Sequence, residues 1–229
     1  MQLEAAILDK DGVIVNSEEG KCKALAQALG KFGHENVKGF REWFFGRVGM
    51  PGLESCEYCV SHFKIEGVEP RALYDECERI RREVISLEPA PLILPTIEFM
   101  KSVHAAGLKI GIASSDFPAN IRKHMEQAGV LEYISAMTSA EKHSGDVTHD
   151  KPHPQVYLVT AQRLGVKPAY CVGVEDTAPG VQAVKAAGMY CIGYRNPLSG
   201  NQDLLGAGAD MVVDDLRTVD IDKLRARFS

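Results

Sequence analysis

The sequence predicts an α/β protein, with a Rossmann-like parallel sheet core and an inserted all-helical cap domain. Two features predict the core. Short apolar runs typical of buried strands recur through the second half of the chain. Between them lie amphipathic helical patterns, and this alternation is typical of a parallel sheet covered on both faces. A third feature predicts the insertion, because residues 17–87 interrupt the alternation with helical patterns only.

The first strand is predicted at Ala5–Leu8, so the sheet begins close to residue 1. Further strands are predicted at residues 109–113, 170–174, 190–194 and 211–213. Proline favours the first turn of a helix and glycine the position just past its end. The helices between the strands carry these signals, with prolines at Pro95, Pro118 and Pro154 and glycines at Gly107, Gly129, Gly165 and Gly188.

Two helices are clear in the predicted cap. The first starts at Ser17, where Asn16 and Glu19 have the spacing of a capping box. The second is predicted from Arg71 to about Leu87. Their apolar stripes are Cys22, Leu25, Ala26 and Leu29 in the first helix and Leu73, Cys77, Ile80 and Val84 in the second. A proline-rich stretch, 88–95, leads back to the sheet. The predicted domains are therefore a core of residues 1–16 and 88–229 and a cap of residues 17–87.

Composition excludes several classes of protein. The chain has 229 residues and a formal net charge of −5, which argues against a nucleic-acid or anionic-membrane surface. No segment resembles a signal peptide or reaches the roughly 20 apolar residues of a membrane span. We therefore expect a cytoplasmic protein. The six cysteines are expected to be buried thiols. Cys56-x-x-Cys59 has the spacing of a metal-binding pair but lacks a second pair.

Polar residues follow several of the predicted strands. In an open parallel sheet, ligands bind beyond the carboxyl ends of the strands, so these residues are expected to share one edge. They are Asp9 and Asp11 after the first strand, Ser114 and Ser115 after the second, Lys151 before a later helix, and Glu175 and Asp176 after the strand at 170–174.

This set of groups suits phosphoryl transfer. Asp9 can attack phosphorus and form an acyl-phosphate that water then hydrolyses. Asp11 can protonate the leaving oxygen and later deprotonate the water. Several carboxylates crowded together require a cation, and oxygen-only ligands favour Mg²⁺, so Asp9, Glu175 and Asp176 are predicted metal ligands. A hydroxyl and an ammonium would bind the phosphate, and the sequence offers Ser114, Ser115 and Lys151 for these roles.

These residues resemble the haloacid dehalogenase superfamily, in its branch with a helical cap after the first strand. The resemblance covers the whole chain. Four motifs occur in the family order: Asp9-x-Asp11-Gly-Val, a strand ending in Ser114, Lys151-Pro, and Gly173-x-Glu175-Asp176. The resemblance implies the catalytic roles given above and adds the main-chain carbonyl of Asp11 as a metal ligand. Two positions depart from it: Asp150 stands where relatives often have glycine, and Asn16 where many have aspartate.

Simpler structural roles compete with some assignments. Ser114 could cap the following helix, with Asp116 as a rival cap. Glu175 and Asp176 could stabilise a helix N-terminus, a role compatible with metal binding. In the cap, Trp43, Phe44 and Phe45 are expected in the core. Arg47 lies between two glycines, in a loop that faces the active site in relatives, and is a candidate substrate contact.

Three functions remain open at this stage. Relatives that cleave C–halogen or C–P bonds lack an aspartate at the position of Asp11, so the resemblance implies a phosphatase or a phosphomutase. Relatives of the β-phosphoglucomutase type carry a histidine where this chain has Lys21, which favours a phosphatase acting on a small phosphorylated metabolite, by resemblance a sugar phosphate. A non-catalytic phosphate-binding module is the third alternative, although such a protein should have lost one of the motif carboxylates.

Overall fold

A computed structural model describes residues 2–48, 50, 52–84, 88–140 and 144–228. The chain divides into two compact units. The core unit comprises Met1–Asn16, Pro91–Pro197 and Gln202–Ser229, and the helical unit comprises Ser17–Ala90 and Leu198–Asn201. No described helix combines the length and the apolar character that a membrane crossing requires.

The predicted parallel sheet is confirmed. The described residues form six strands, all parallel, in the order β3-β2-β1-β4-β5-β6. Their bounds are β1 Ala5–Leu8, β2 Lys109–Ser114, β3 Ile134–Ser139, β4 Cys171–Glu175, β5 Tyr190–Tyr194 and β6 Met211–Val213. The strand β3 was not predicted from the sequence. This edge strand is only partly buried along its first four residues, so its sequence, ISAMTS, lacks a continuous apolar run.

Five helices of the core unit accompany the sheet: α5 Leu94–Ala105, α6 Pro118–Gln127, α7 Gln155–Leu164, α8 Ala178–Ala186 and α9 Ile221–Ala226. All four residues of β1 are fully buried. Burying each large aliphatic side chain contributes about 1.5–3 kcal/mol. Gly173 in β4 has a packing role, because a β-carbon there would lie 2.5 Å from Val184 of α8. Glycine therefore allows α8 to approach the sheet closely.

The strand order places β1 at the point where the chain changes direction across the sheet. β1 pairs with β2 on one side and β4 on the other, and Leu8 lies opposite both Ile112 and Val174. The crevice beyond the carboxyl end of such a strand is the usual ligand site in open α/β sheets.

The helical unit contains α1 Glu18–Lys31, α2 Phe40–Phe45, α3 Gly52–His62 and α4 Pro70–Glu83. Its core includes most of both predicted stripes, among them Leu25, Leu29, Leu73 and Ile80. The second stripe ends earlier than predicted. Val84 follows the last turn of α4 and is 42% exposed, and residues 85–87 lie outside the described residues.

The predicted capping box is wrong. A capping box at Asn16 and Glu19 requires the Glu19 carboxylate to accept from the Asn16 amide, but that amide donates to the Pro91 carbonyl at 2.8 Å. The Ser17 side chain makes no capping hydrogen bond, and its hydroxyl is buried without a hydrogen-bond partner among the described residues. Glu19 instead accepts two hydrogen bonds from Arg41, at 2.6 and 2.8 Å. The Asn16 side chain accepts a hydrogen bond from Asn196 at 3.0 Å.

The predicted return point at residue 88 is also corrected. Residues 88–90 belong to the helical unit, together with Leu198–Asn201. The ion pair between Lys23 and Glu88, at 3.2 Å, ties the first of these segments to α1. In the second segment Gly200 lies against the carbonyl of Phe45, which a β-carbon on Gly200 would approach to 3.3 Å. These contacts join residues distant in sequence, which local patterns do not reveal.

Candidate active site

Asp9 and Asp11 lie directly beyond β1. The Asp9 amide donates to the Val174 carbonyl at 3.0 Å, which extends the pairing with β4 by one residue. A tight loop follows, closed by a hydrogen bond from the Gly12 amide to the Val15 carbonyl at 2.8 Å. The Asp9 side chain is 8% exposed and that of Asp11 is 19% exposed. The second carboxylate is thus more accessible to solvent than the first.

Lys151 joins three strands at the carboxyl edge of the sheet. Its ammonium donates to the carboxylate of Asp9 beyond β1 and to the Ala113 carbonyl in β2, at 3.2 Å. It lies 2.6 Å from Oε1 of Glu175 at the end of β4. Burial alone would lower the pKa of Lys151, but Asp9 and Glu175 raise it above its ordinary value. The buried ammonium is therefore a fixed positive charge beside the predicted nucleophile.

Asp9, Glu175 and Asp176 form the one group of three or more potential metal ligands found among the described residues. One oxygen from each carboxylate lies within 4.8 Å of the others, and all three residues are buried. Burial raises the pKa of Asp9 to about 7; Lys151 opposes this rise, while Glu175 and Asp11 add to it. A divalent cation would relieve this crowding of negative charge. The three oxygen donors therefore fit a hard metal ion such as Mg²⁺.

Two glycines make room for the carboxylates of Glu175 and Asp176. A β-carbon on Gly12 would lie 1.9 Å from Oδ2 of Asp176. One on Gly180, in α8, would lie 2.0 Å from the Glu175 carboxylate. Each backbone therefore approaches a carboxylate as closely as only glycine permits. Because this packing holds the Glu175 and Asp176 carboxylates in position, it supports the fit of the cluster to a cation.

Ser114 and Ser115 occupy different environments. The Ser114 hydroxyl is buried and accepts a hydrogen bond from the Asp116 amide at 3.1 Å. It lies 3.5 Å from Oδ2 of Asp11. The Ser115 hydroxyl is exposed and donates to Asp150 at 2.6 Å. Asp150 also accepts the Lys151 amide at 2.7 Å. The aspartate that departs from the family pattern therefore links the loop after β2 to the lysine segment.

Three residues of this site were not predicted from the sequence. The buried Tyr157 of α7 donates to Oε1 of Glu175 at 2.6 Å. Asn196, after β5, donates to the Gly12 carbonyl at 2.8 Å. Lys10 is fully buried and lies 3.0 Å from the Asp11 carboxylate. Lys10 could have been noticed as a cation between two predicted catalytic aspartates, but no local pattern marks Tyr157 or Asn196.

The remaining sequence candidates lie elsewhere. Arg47 belongs to the helical unit, where its guanidinium packs over the rings of Trp43 and Tyr58 at 5.4 and 4.8 Å; its contact with substrate stays a prediction. Trp43 is buried in the core of that unit, as expected. All six cysteines are buried and free, and Cys56 and Cys59 lie in α3. Gly49, one of the two glycines that flank Arg47 in the sequence, lies outside the described residues.

In sequence, the chain is similar to one family of hydrolases and to phosphatases. A family model described as haloacid dehalogenase-like hydrolase matches residues 3–188. The fructose-1-phosphate phosphatase YqaB of Escherichia coli strain K12 is 30% identical over 192 residues, covering 82% of this chain and 95% of that protein. The phosphorylated carbohydrates phosphatase of Thermotoga maritima is 29% identical over 220 residues, covering 92% and 94%.

Among solved structures, the β-phosphoglucomutase of Clostridium difficile has a similar fold. It superposes with a TM-score of 0.69 at 24% identity, covering 99% of this chain and 97% of that chain. At this identity the likeness concerns the fold alone.

Proposed function

The chain belongs to the haloacid dehalogenase-like hydrolases, and from this membership we propose that it is a Mg²⁺-dependent phosphatase. Its substrate is the phosphate monoester of a small metabolite, most simply a sugar phosphate. The reaction passes through an aspartyl-phosphate on Asp9. One observation carries the proposal: a buried, crowded carboxylate, Asp9, shares its site with a fixed cation, two further carboxylates and the accessible acid Asp11.

The first half of the reaction transfers the phosphoryl group to the enzyme. A carboxylate oxygen of Asp9 attacks phosphorus, and the bond from phosphorus to the sugar oxygen breaks. Asp11 gives its proton to that oxygen, so the sugar leaves as a neutral alcohol. Lys151 and the hydroxyl of Ser114 bind the phosphoryl oxygens, and Ser115 is a third candidate for this role.

The second half returns the enzyme to its starting state. Asp11, now ionised, takes a proton from water as the water oxygen attacks phosphorus. The bond from phosphorus to Asp9 breaks and inorganic phosphate leaves. Asp9, Glu175, Asp176 and the carbonyl of Asp11 would hold Mg²⁺. When bound, the ion neutralises charge between the carboxylates and the phosphoryl oxygens.

The substrate class is supported by the relatives. The names of the two curated relatives specify fructose 1-phosphate and phosphorylated carbohydrates. In this family architecture the inserted domain selects the substrate, so we propose Arg47 as a substrate contact. Its guanidinium packs on two aromatic rings, which would restrict its motion and so favour recognition of a planar or anionic group.

The experiment measures phosphate release from para-nitrophenyl phosphate and a panel of sugar phosphates. Each substrate is tested with Mg²⁺, with EDTA, and with the isosteric variant Asp9→Asn. Asp214→Asn is the matched control, since Asp214 is exposed and pairs with Arg195. We expect release that requires Mg²⁺, is abolished by Asp9→Asn, and persists in Asp214→Asn.

Two other outcomes would overturn the proposal. Conversion of one sugar phosphate into its isomer without phosphate release would establish a mutase. Stoichiometric labelling by an acyl-phosphate donor without turnover would establish a binding module.

A further inference from the structure

Lys10 stands between the two catalytic aspartates in sequence, yet its side chain is completely buried. A lysine ammonium has three hydrogens to donate and accepts nothing. The structure supplies three acceptors: Oδ1 of Asp11 at 3.0 Å, Oδ2 of Asp116 at 2.7 Å and Nδ1 of His124 at 3.2 Å. Each hydrogen therefore has a partner, as a buried cation requires.

The three partners come from different parts of the core unit. Asp11 lies in the loop after β1, Asp116 in the loop after β2, and His124 in α6. Asp116 and His124 are each 7% exposed, whereas the Asp11 side chain is 19% exposed. The ammonium thus has two partners in the interior and one facing the accessible side of the site. Asp116 and His124 therefore fix the position of the Lys10 ammonium, and the ammonium in turn restrains the Asp11 carboxylate.

The other oxygen of Asp11 is also restrained. Its Oδ2 lies 3.5 Å from the Ser114 hydroxyl, while Oδ1 lies on Lys10. A carboxylate contacted at both oxygens has a restricted torsion. Proton transfer demands such restriction, because displacement by about 1 Å can lower a rate about 100-fold.

We propose that Lys10 is a positioning residue for general acid catalysis, which holds the Asp11 carboxylate where it protonates the leaving group. This inference rests on the proposed function, because it needs Asp11 to be the acid. The alternative is that Lys10 affects only the stability of the fold, to which buried ion pairs contribute in some proteins and not in others. The two roles differ in how they depend on the substrate.

Leaving groups separate the two roles. The oxygen of para-nitrophenol leaves readily without a proton, whereas a sugar alkoxide requires one. A misplaced acid should therefore slow hydrolysis of sugar phosphates far more than hydrolysis of para-nitrophenyl phosphate. A general loss of folded enzyme would lower both rates equally. The quantity to compare is kcat/KM, since it reports the steps up to cleavage of the leaving group and is insensitive to the later hydrolysis of the aspartyl-phosphate.

The experiment measures kcat/KM of the wild type and Lys10→Met on para-nitrophenyl phosphate and on the best sugar phosphate of the panel. Asp11→Asn sets the full effect of losing the acid, which is about 100- to 10,000-fold in general acid catalysis. For Lys10→Met we expect about a 10- to 100-fold loss on the sugar phosphate, with a much smaller loss on para-nitrophenyl phosphate.

Two further variants secure the result. Lys185→Met removes the ion pair with Asp210, at 2.7 Å, on another part of the core unit. This variant should leave kcat/KM unchanged on both substrates. If Lys10→Met does not fold, the double variant Lys10→Met with Asp116→Asn replaces it. That variant removes one buried cation together with one buried anion, and the asparagine still offers an oxygen to the Phe117 amide, which Asp116 accepts at 2.8 Å.

The outcomes distinguish a failure of the positioning role of Lys10 from a failure of the proposed phosphatase function. An active wild type whose Lys10 variants lose both activities in equal proportion, or lose neither, would overturn the positioning role alone. A wild type without Asp9-dependent phosphate release would overturn the proposed function and this inference with it.

Discussion

The carboxylate of Asp176 packs against the backbone of Gly12 so closely that a β-carbon on Gly12 would lie 1.9 Å from Oδ2. The contact joins the loop beyond β1 to the end of β4. Gly12 also has a positive φ of +81°, a conformation that other residues rarely adopt. Glycine at this position is therefore required twice, once by the backbone conformation and once by the space that the Asp176 carboxylate occupies.

Replacing Gly12 by alanine should therefore displace Asp176 and disable the site. We expect Gly12→Ala to lower phosphatase activity by about 100-fold or more, since displacement of a catalytic group by about 1 Å has that effect. Gly129→Ala is the matched control: its φ is +65°, and no neighbour lies within 4 Å of the added carbon. The control should lose about 1–2 kcal/mol of stability but retain activity. Equal activity of the two variants would contradict the argument.

Removal of the divalent metal should abolish activity reversibly. EDTA is expected to stop phosphate release and excess Mg²⁺ to restore it, because Asp9, Glu175 and Asp176 crowd three carboxylates within 4.8 Å. Asp176→Asn removes one of these charges and should raise the Mg²⁺ concentration for half-maximal activity about tenfold or more. The measurement is a Mg²⁺ titration of initial rates. Full activity in EDTA after dialysis would show that the cluster serves another purpose.

Loss of the Tyr157 hydroxyl should weaken the metal site without removing a ligand. This hydroxyl donates to Glu175 at 2.6 Å inside the protein, so Tyr157→Phe leaves the carboxylate with one donor fewer. We expect the free energy of unfolding in EDTA to fall by about 1–3 kcal/mol. The Mg²⁺ requirement should rise about tenfold, while the rate at saturating Mg²⁺ changes little. Urea unfolding and Mg²⁺ titration test the two effects separately, and an unchanged Mg²⁺ requirement would contradict the second.

His124 should make the protein less stable in mild acid. Burial, with Lys10 adding to its effect, lowers the pKa of this imidazole from 6.5 to about 4, although Asp11 and Asp116 oppose the shift. The unfolded chain therefore takes up the proton near pH 6.5, while the folded protein resists it until about pH 4. Above pH 6.5 this difference in proton uptake has little effect on stability. As the pH falls from 7 to 5, it lowers the free energy of unfolding by about 2 kcal/mol.

The variant His124→Gln keeps an oxygen acceptor for Lys10 but binds no proton. Its free energy of unfolding, from urea titrations at pH 7, 6 and 5, should consequently fall less steeply than that of the wild type. Parallel curves for the two proteins would show that His124 does not cause the acid sensitivity.

Most regular elements could be predicted because their signals are local. The buried strands β1, β2, β4 and β5 are continuous apolar runs, and the helices carry apolar residues at helical spacing. The strand β3 escaped because an edge strand is partly exposed and needs no such run. The capping box at Asn16 and Glu19 failed for a different reason. A capping pattern states which side chains are present, but the Asn16 amide donates to the Pro91 carbonyl and the Glu19 carboxylate accepts from Arg41, and both partners are distant in the sequence.

The residue types of the active site and the edge where they gather follow from the sequence, because parallel strands present their carboxyl ends on one side of a sheet. The partners of those residues were decided by the tertiary structure. Lys10 meets Asp116 and His124 across 106 and 114 residues of chain, and Tyr157 meets Glu175 from a neighbouring helix. Such pairs depend on strand register and on helix packing over the sheet, and both arise from the whole core rather than from the periodicity of any one segment.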